Sequence, residues 1–187
     1  MNETMTDMER LREVALDQHG YVTASQAQEA GVSRPSLSYL AKRGRVERAC
    51  RGVYRVSQVP YTEYDAKHLA LLWADPEAAT LGYDTALDAY GVCDVNPMKV
   101  HVVVGKGKRI SRSGGNAYVV HKEDLSPEDL SWWEGMRMVR FPVALRQCLE
   151  AGLPTYLVEQ ALEGGRAPGL LSAQQAGGMG GRREARK

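Results

Sequence analysis

No apolar run in the chain approaches the roughly 20 residues that a membrane-spanning helix needs, so a transmembrane reading is set aside. The opening residues Asn2, Glu3, Thr4 and Asp7 are polar or acidic, where a secretory leader would place a basic segment ahead of an apolar one. Both absences lead to the expectation of a cytoplasmic protein without a membrane partner. Cysteine is scarce as well. Cys50, Cys93 and Cys148 are an odd number at wide spacing with no C-x-x-C pair, so neither a disulfide framework nor a zinc site is expected. A strong charge of one sign is also missing, since the formal net charge is only +1.

That average conceals a polarised arrangement. Residues 1–57 hold nine Lys/Arg against seven Asp/Glu, residues 58–176 hold eleven against fifteen, and residues 177–187 hold four against one. With 43% hydrophobic and 25% charged residues, the chain has enough apolar material for a packed core.

The spacing of Met5, Met8, Leu11, Val14 and Ala15 predicts a helix from Met5 to Gln18, stopped by Gly20. Tyr21-Val22 is an extended bridge. Thr23 and Gln26 form a capping-box pattern that opens a short helix over Ala24 to Ala30, ended by Gly31. Ser33 then caps a third helix whose first turn tolerates Pro35, and which runs to about Arg43 with Leu37, Leu40 and Ala41 inward. Val46 to Val56 reads as two short strands joined near Arg51-Gly52. Three helices and a hairpin make a winged helix-turn-helix, with a boundary expected near Ser57.

Beyond a linker at Gln58 to Pro60, helices are expected at Tyr61 to Trp73 and Tyr83 to Tyr90. The strand Val100 to Val104 is followed by two weaker strands around Ile110 and from Ala117 to His121. Further helices are expected at Pro142 to Glu150, Thr155 to Glu163 and Leu170 to Gln175. The fold class is therefore α+β: a winged helix-turn-helix over 1–57, a mixed domain of helices and a small antiparallel sheet over 61–176, and a mobile basic tail over 177–187.

Seven basic residues and one acid, Glu47, lie between Gly31 and Val56. They coincide with the third helix and the hairpin, so this is the candidate DNA surface. Arg34, Ser36 and Ser38 are expected at base edges; Lys42, Arg43, Arg45, Arg48, Arg51 and Arg55 are expected on the phosphate backbone. A second basic stretch includes Lys106, Lys108, Arg109 and Arg112, with no acid from Met98 through Lys122. It reads as a basic hairpin, since Gly105-Lys-Gly-Lys lacks the spacing of a phosphate loop.

For catalysis, His19, His68, His101 and His121 are scattered, although His101 and His121 are placed to face each other across the predicted sheet. Asp84 and Asp88 lie four apart on a predicted helix without a third ligand, which favours a solvated face over a metal-dependent nuclease. Trp132-Trp133 and Tyr61 with Tyr64 are expected to pack in a core. No enzyme activity, metal or cofactor is expected.

The phrases Leu11-Arg-Glu-Val-Ala15, His19-Gly-Tyr-Val-Thr-Ala24, Ala30-Gly-Val-Ser33, Leu40 with Arg43-Gly44, and Arg51-Gly-Val-Tyr54 resemble the winged-helix domain of the AbiEi family. These are antitoxins of bacterial type IV toxin-antitoxin and abortive-infection systems. Thr85-Ala-Leu87 before Tyr90-Gly91, the Val100 to Val104 strand, and Phe141-Pro-Val-Ala-Leu145 are similar to the family's second domain. The resemblance implies a repressor that binds repeats in its own promoter and neutralises a cognate nucleotidyltransferase toxin. It carries Arg34, Ser36, Ser38, Tyr39, Lys42, Arg43 and Arg51 over as DNA contacts, and carries over no toxin contact. The alternatives are a stand-alone winged-helix regulator whose second domain dimerises or binds a ligand, and a protein-interaction module.

Overall fold

The computed structural model describes residues 5–111, 114–166 and 169–172. The chain divides into two compact units. One comprises residues up to Ala79 together with Arg109–Asn116, and the other comprises Thr80–Lys108 and the residues from Ala117 onward.

The first unit opens with α1 (Asp7–Leu16), which starts two residues later than expected because Thr6 serves as its cap. The Thr6 amide donates to Glu9 at 2.6 Å, and the Glu9 amide donates back to the Thr6 hydroxyl at 3.3 Å. Strand β1 (Tyr21–Thr23) follows, then α2 (Ala24–Glu29) and α3 (Arg34–Lys42). The Thr23/Gln26 capping box forms as the sequence predicts, and Ser33 Oγ accepts the Ser36 amide at 3.2 Å. Each such cap contributes about 1 kcal/mol. The hairpin is β2 (Val46–Cys50) and β3 (Val53–Val56), with a bulge between Arg48 and Cys50.

These strands form an antiparallel sheet in the order β1-β3-β2. The central strand β3 is covered on both faces. Val56 joins Leu11, Ala15, Val22, Ala27, Val32, Leu37 and Val46 in the main core, with Tyr54, Leu40 and Ala41 packed against it. Val53 instead packs with Tyr21 and Leu72. Full burial of one such aliphatic side chain stabilises the fold by about 1.5–3 kcal/mol.

Leu72 belongs to α4 (Asp65–Ala74), which is shorter than the helix expected from Tyr61. Seven of its ten residues are buried, among them Asp65, His68, Leu71 and Leu72. The expected boundary near Ser57 is therefore not the end of the compact unit, because α4 closes the second face of the winged-helix sheet and the unit continues to Ala79.

In the second unit the order is β4 (Thr80–Leu81), α5 (Tyr83–Tyr90), β5 (Val100–Val104), β6 (Tyr118–Lys122), β7 (Leu130–Trp133), β8 (Met136–Val139), α6 (Phe141–Ala151) and α7 (Thr155–Gly164). The five strands lie in the order β6-β5-β4-β8-β7. The β4–β5 and β7–β8 ladders are antiparallel, whereas β5–β6 and β4–β8 are parallel. The basic hairpin expected after Val104 is thus corrected: β5 and β6 run the same way, so no hairpin joins them, and Ile110 is not in a strand. Leu87, Phe141, Leu145, Cys148, Leu157 and Ala161 form the helical core beside the sheet. Of the helix expected at Leu170 to Gln175, Leu170–Ser172 are not helical and the rest lies outside the described residues, as does the expected basic tail. No described helix is long and apolar enough to cross a membrane.

His68 gives this core an acid sensitivity. It is 7% exposed, and neither ring nitrogen has a hydrogen-bonding partner among the described residues. Burial first, and then the neighbouring His19, push its pKa down from 6.5 to about 4, against an opposing pull from Asp65. The unfolded chain takes up the proton near pH 6.5 and the folded chain near 4, so this contribution to stability is intact above pH 6.5 and declines as pH falls towards 4. Urea denaturation of wild type and His68→Leu at pH 7 and pH 5 is expected to show the wild type losing about 2 kcal/mol more than the variant. Equal losses would remove His68 as the cause.

Candidate nucleic-acid interface

The exposed face of the first unit follows from how α3 and the hairpin are held. Leu37 is buried and anchors α3 in the core, which turns Arg34, Ser38 and Lys42, at steps of four, into one outward ridge. Tyr39, 55% exposed, and Arg43 lie beside it, with the Arg43 guanidinium 5.1 Å from the Tyr39 ring centroid. Arg34 sits at the start of α3, where backbone amides also point outward and favour an anion. Ser36 is only half-exposed and its hydroxyl lies 3.1 Å from that of Ser33, so it serves the helix cap.

Arg45, Arg48 and Arg51 are exposed along the hairpin. Arg51 precedes Gly52 at its tip, where a φ of +77° requires the left-handed conformation that glycine adopts freely. The exposed cations are thus carried on one helix and one wing, each tied to the same core.

Arg55 departs from the expectation. It is 4% exposed and cannot meet a phosphate. Its Nε and Nη2 donate to Asp65 Oδ2 at 3.3 and 3.2 Å, while Nη1 donates to the Val56 carbonyl at 3.2 Å and Nη2 to the Val59 carbonyl at 3.0 Å. The Tyr61 ring stacks on the guanidinium at 3.5 Å. The position alternates with Tyr54 along β3, and so faces the side that α4 covers.

The second basic stretch is described only in part. Lys106 is exposed, but its amide donates to Asp124 at 2.9 Å, so an acid lies beside it in space although none lies within 98–122 in sequence. Lys108 is half-buried, Arg109 is exposed and grouped with the first unit, and Arg112 lies outside the described residues.

His101 and His121 do meet, with Nδ1 and Nε2 3.1 Å apart, and Tyr83 stacks on His121 at 3.4 Å. Burial lowers both histidines, and together with the neighbouring His101 it brings His121 to about 4. Asp84 accepts a hydrogen bond from the buried Cys148 thiol at 3.4 Å, and burial followed by the Asp84 charge pushes that thiol well above its usual range. Among the described residues no three His, Cys, Asp or Glu side chains gather as a metal site. Trp132 and Tyr61 are 65% and 72% exposed, which corrects the expectation of core packing for both.

The arrangement is that of a winged helix-turn-helix presenting cations on its third helix and wing. Residues 9–57 match the family model described as "Transcriptional regulator, AbiEi antitoxin". The match covers the helices and hairpin of the winged helix-turn-helix and leaves the rest of the chain unmatched. No curated protein matches the chain. Among solved structures, the RV2827C protein from Mycobacterium tuberculosis is similar with a TM-score of 0.55 and 16% identity, covering 95% of this chain and 72% of that one. At that identity the likeness concerns the fold alone.

The two arginines of the wing are expected to separate cleanly in denaturation experiments. Arg55→Ala strands the Asp65 carboxylate and is expected to cost about 3–5 kcal/mol. Arg51→Ala, on the surface, is expected to stay within about 0.5 kcal/mol of wild type. A reversed order would contradict the burial of Arg55.

Proposed function

We propose that this protein is a DNA-binding antitoxin that represses its own promoter at repeated sequences and neutralises a cognate nucleotidyltransferase toxin, without catalysis of its own. It acts in the cytoplasm. The observation that supports this reading is the coincidence of the AbiEi-type match over residues 9–57 with an exposed basic helix and wing. Arg34, Ser38 and Tyr39 are the groups proposed at base edges, with Ser36 holding the helix start. Lys42, Arg43, Arg45, Arg48 and Arg51 are proposed on phosphates.

The family match stops at residue 57, and that boundary favours one second reading: a stand-alone winged-helix regulator whose second unit dimerises or binds a ligand. Co-expression with the adjacent gene separates the two. Rescue of growth from a toxic neighbouring nucleotidyltransferase supports the antitoxin, and a neighbour that is not toxic favours the regulator.

For the DNA surface, fluorescence anisotropy on the promoter duplex is expected to show Arg34→Ala weakening the specific site by about 1–3 kcal/mol and narrowing the gap to unrelated DNA. Arg51→Ala is expected to weaken both DNAs alike and to reduce the salt slope by about 1. Unchanged binding in both variants would contradict the proposed orientation of α3.

A further inference from the structure

The wing rests on residues that the DNA-facing surface does not contain. Asp65, in the first turn of α4, receives Arg55 through Oδ2, and through Oδ1 it accepts the Thr62 amide at 2.6 Å and the Thr62 hydroxyl at 2.8 Å. One carboxylate therefore ties the wing strand, the turn after it and the helix together. Two turns along α4, Leu72 packs with Tyr21 and Val53, and Ala49, Cys50 and Leu69 lie against that contact. The same helix thus meets the wing twice, through an ion pair at Arg55 and through apolar contact at Val53, nearer the tip.

We propose that α4 is the platform of the DNA-binding wing, with Arg55 and Asp65 as positioning residues that fix where Arg48 and Arg51 present their charges. This inference rests on the DNA-binding reading above. A two-stranded hairpin is marginal on its own. Strand β2 is the sheet edge with β3 as its partner, and its ladder is broken by the bulge between Arg48 and Cys50. The position of the wing therefore depends on how firmly β3 is held. A buried ion pair is weak support for stability, since apolar groups of equal volume often do as well. Its contribution here is direction: the donors of Arg55 are shared among two carbonyls and a carboxylate, which sets the register of strand, turn and helix.

The full-length protein tests this with the duplex from upstream of its own gene. Asp65→Asn is expected to weaken binding about ten-fold, whereas removing a negative charge would by itself tighten binding to a polyanion. Arg51→Ala is expected to cost less in the Asp65→Asn background than in wild type, because a displaced wing has less contact to lose. Amides of Val46–Val56 are expected to exchange faster in Asp65→Asn while those of α1 keep their rates. Tyr61→Leu removes the ring over Arg55, leaves the ion pair in place, and is expected to give the same pattern at about three-fold; it carries the test if Asp65→Asn does not fold. The proposal is overturned if the variants bind as tightly as wild type or more tightly, with additive effects and unchanged wing exchange. A wild type without salt-dependent DNA binding removes the DNA-binding reading itself, a different result from variants that match a binding wild type.

Discussion

A guanidinium buried beneath a sheet must have its donors satisfied and its charge matched, and this requirement organises the first unit around Arg55. The carboxylate of Asp65 answers the charge and accepts from Nε and Nη2, the Val56 and Val59 carbonyls take one further donor each, and Tyr61 closes over the top. Removing one partner would leave the other buried and uncompensated, a loss of several kcal/mol. Gly20 belongs to the same arrangement. A side chain there would come within 3.3 Å of the guanidinium, and the φ of +86° favours glycine independently. The strand that carries the wing is thus enclosed by the three-helix core on one face and by α4 on the other.

The second unit solves a similar problem with a neutral intermediary. Gln147 is fully buried, accepts the Tyr83 amide at 3.0 Å and donates to Glu123 at 2.7 Å, while Arg146 reaches the same carboxylate at 2.6 Å. A Cβ at Gly82 would lie 2.6 Å from Val103 and 3.0 Å from Gln147, so the glycine permits the close approach of α5 to the sheet. The His101/His121 pair and the Cys148–Asp84 contact sit in this framework as packed, hydrogen-bonded groups.

Most of the winged helix was legible, because local chemistry specifies it. Thr23 with Gln26 and Ser33 with Ser36 form the caps their spacing predicts, and the glycines fall at the stops. Arg55 was misplaced because its basic neighbours suggested one surface, although its step of two from Val53 places both on the face that α4 covers. The burial of that face depends on a helix ten residues away in sequence, which no local pattern records. In the second unit the glycine and lysine run after Val104 suggested a hairpin, yet Val102, Val103 and Val104 are consecutive buried residues, the pattern of a strand covered on both faces, and β6 pairs with it in parallel. Strands β7 and β8 were missed, although Glu134-Gly135, both at positive φ, is the two-residue turn that joins such a pair.

The candidate DNA surface was legible as composition and only partly as geometry. The expected cations on α3 and the wing are exposed apart from Arg55, which is buried, and of the second basic stretch Lys106 and Arg109 are exposed while Lys108 is half-buried. The central claim is that the surface of α3 and the wing grips DNA phosphates. Its most direct measurement is the affinity of the full-length protein for its promoter duplex across a salt series. With Lys42, Arg43, Arg45, Arg48 and Arg51 on the backbone, log K is predicted to fall linearly with log salt at a slope of about −4 to −5. A slope near zero, or no binding at low salt, would contradict the account.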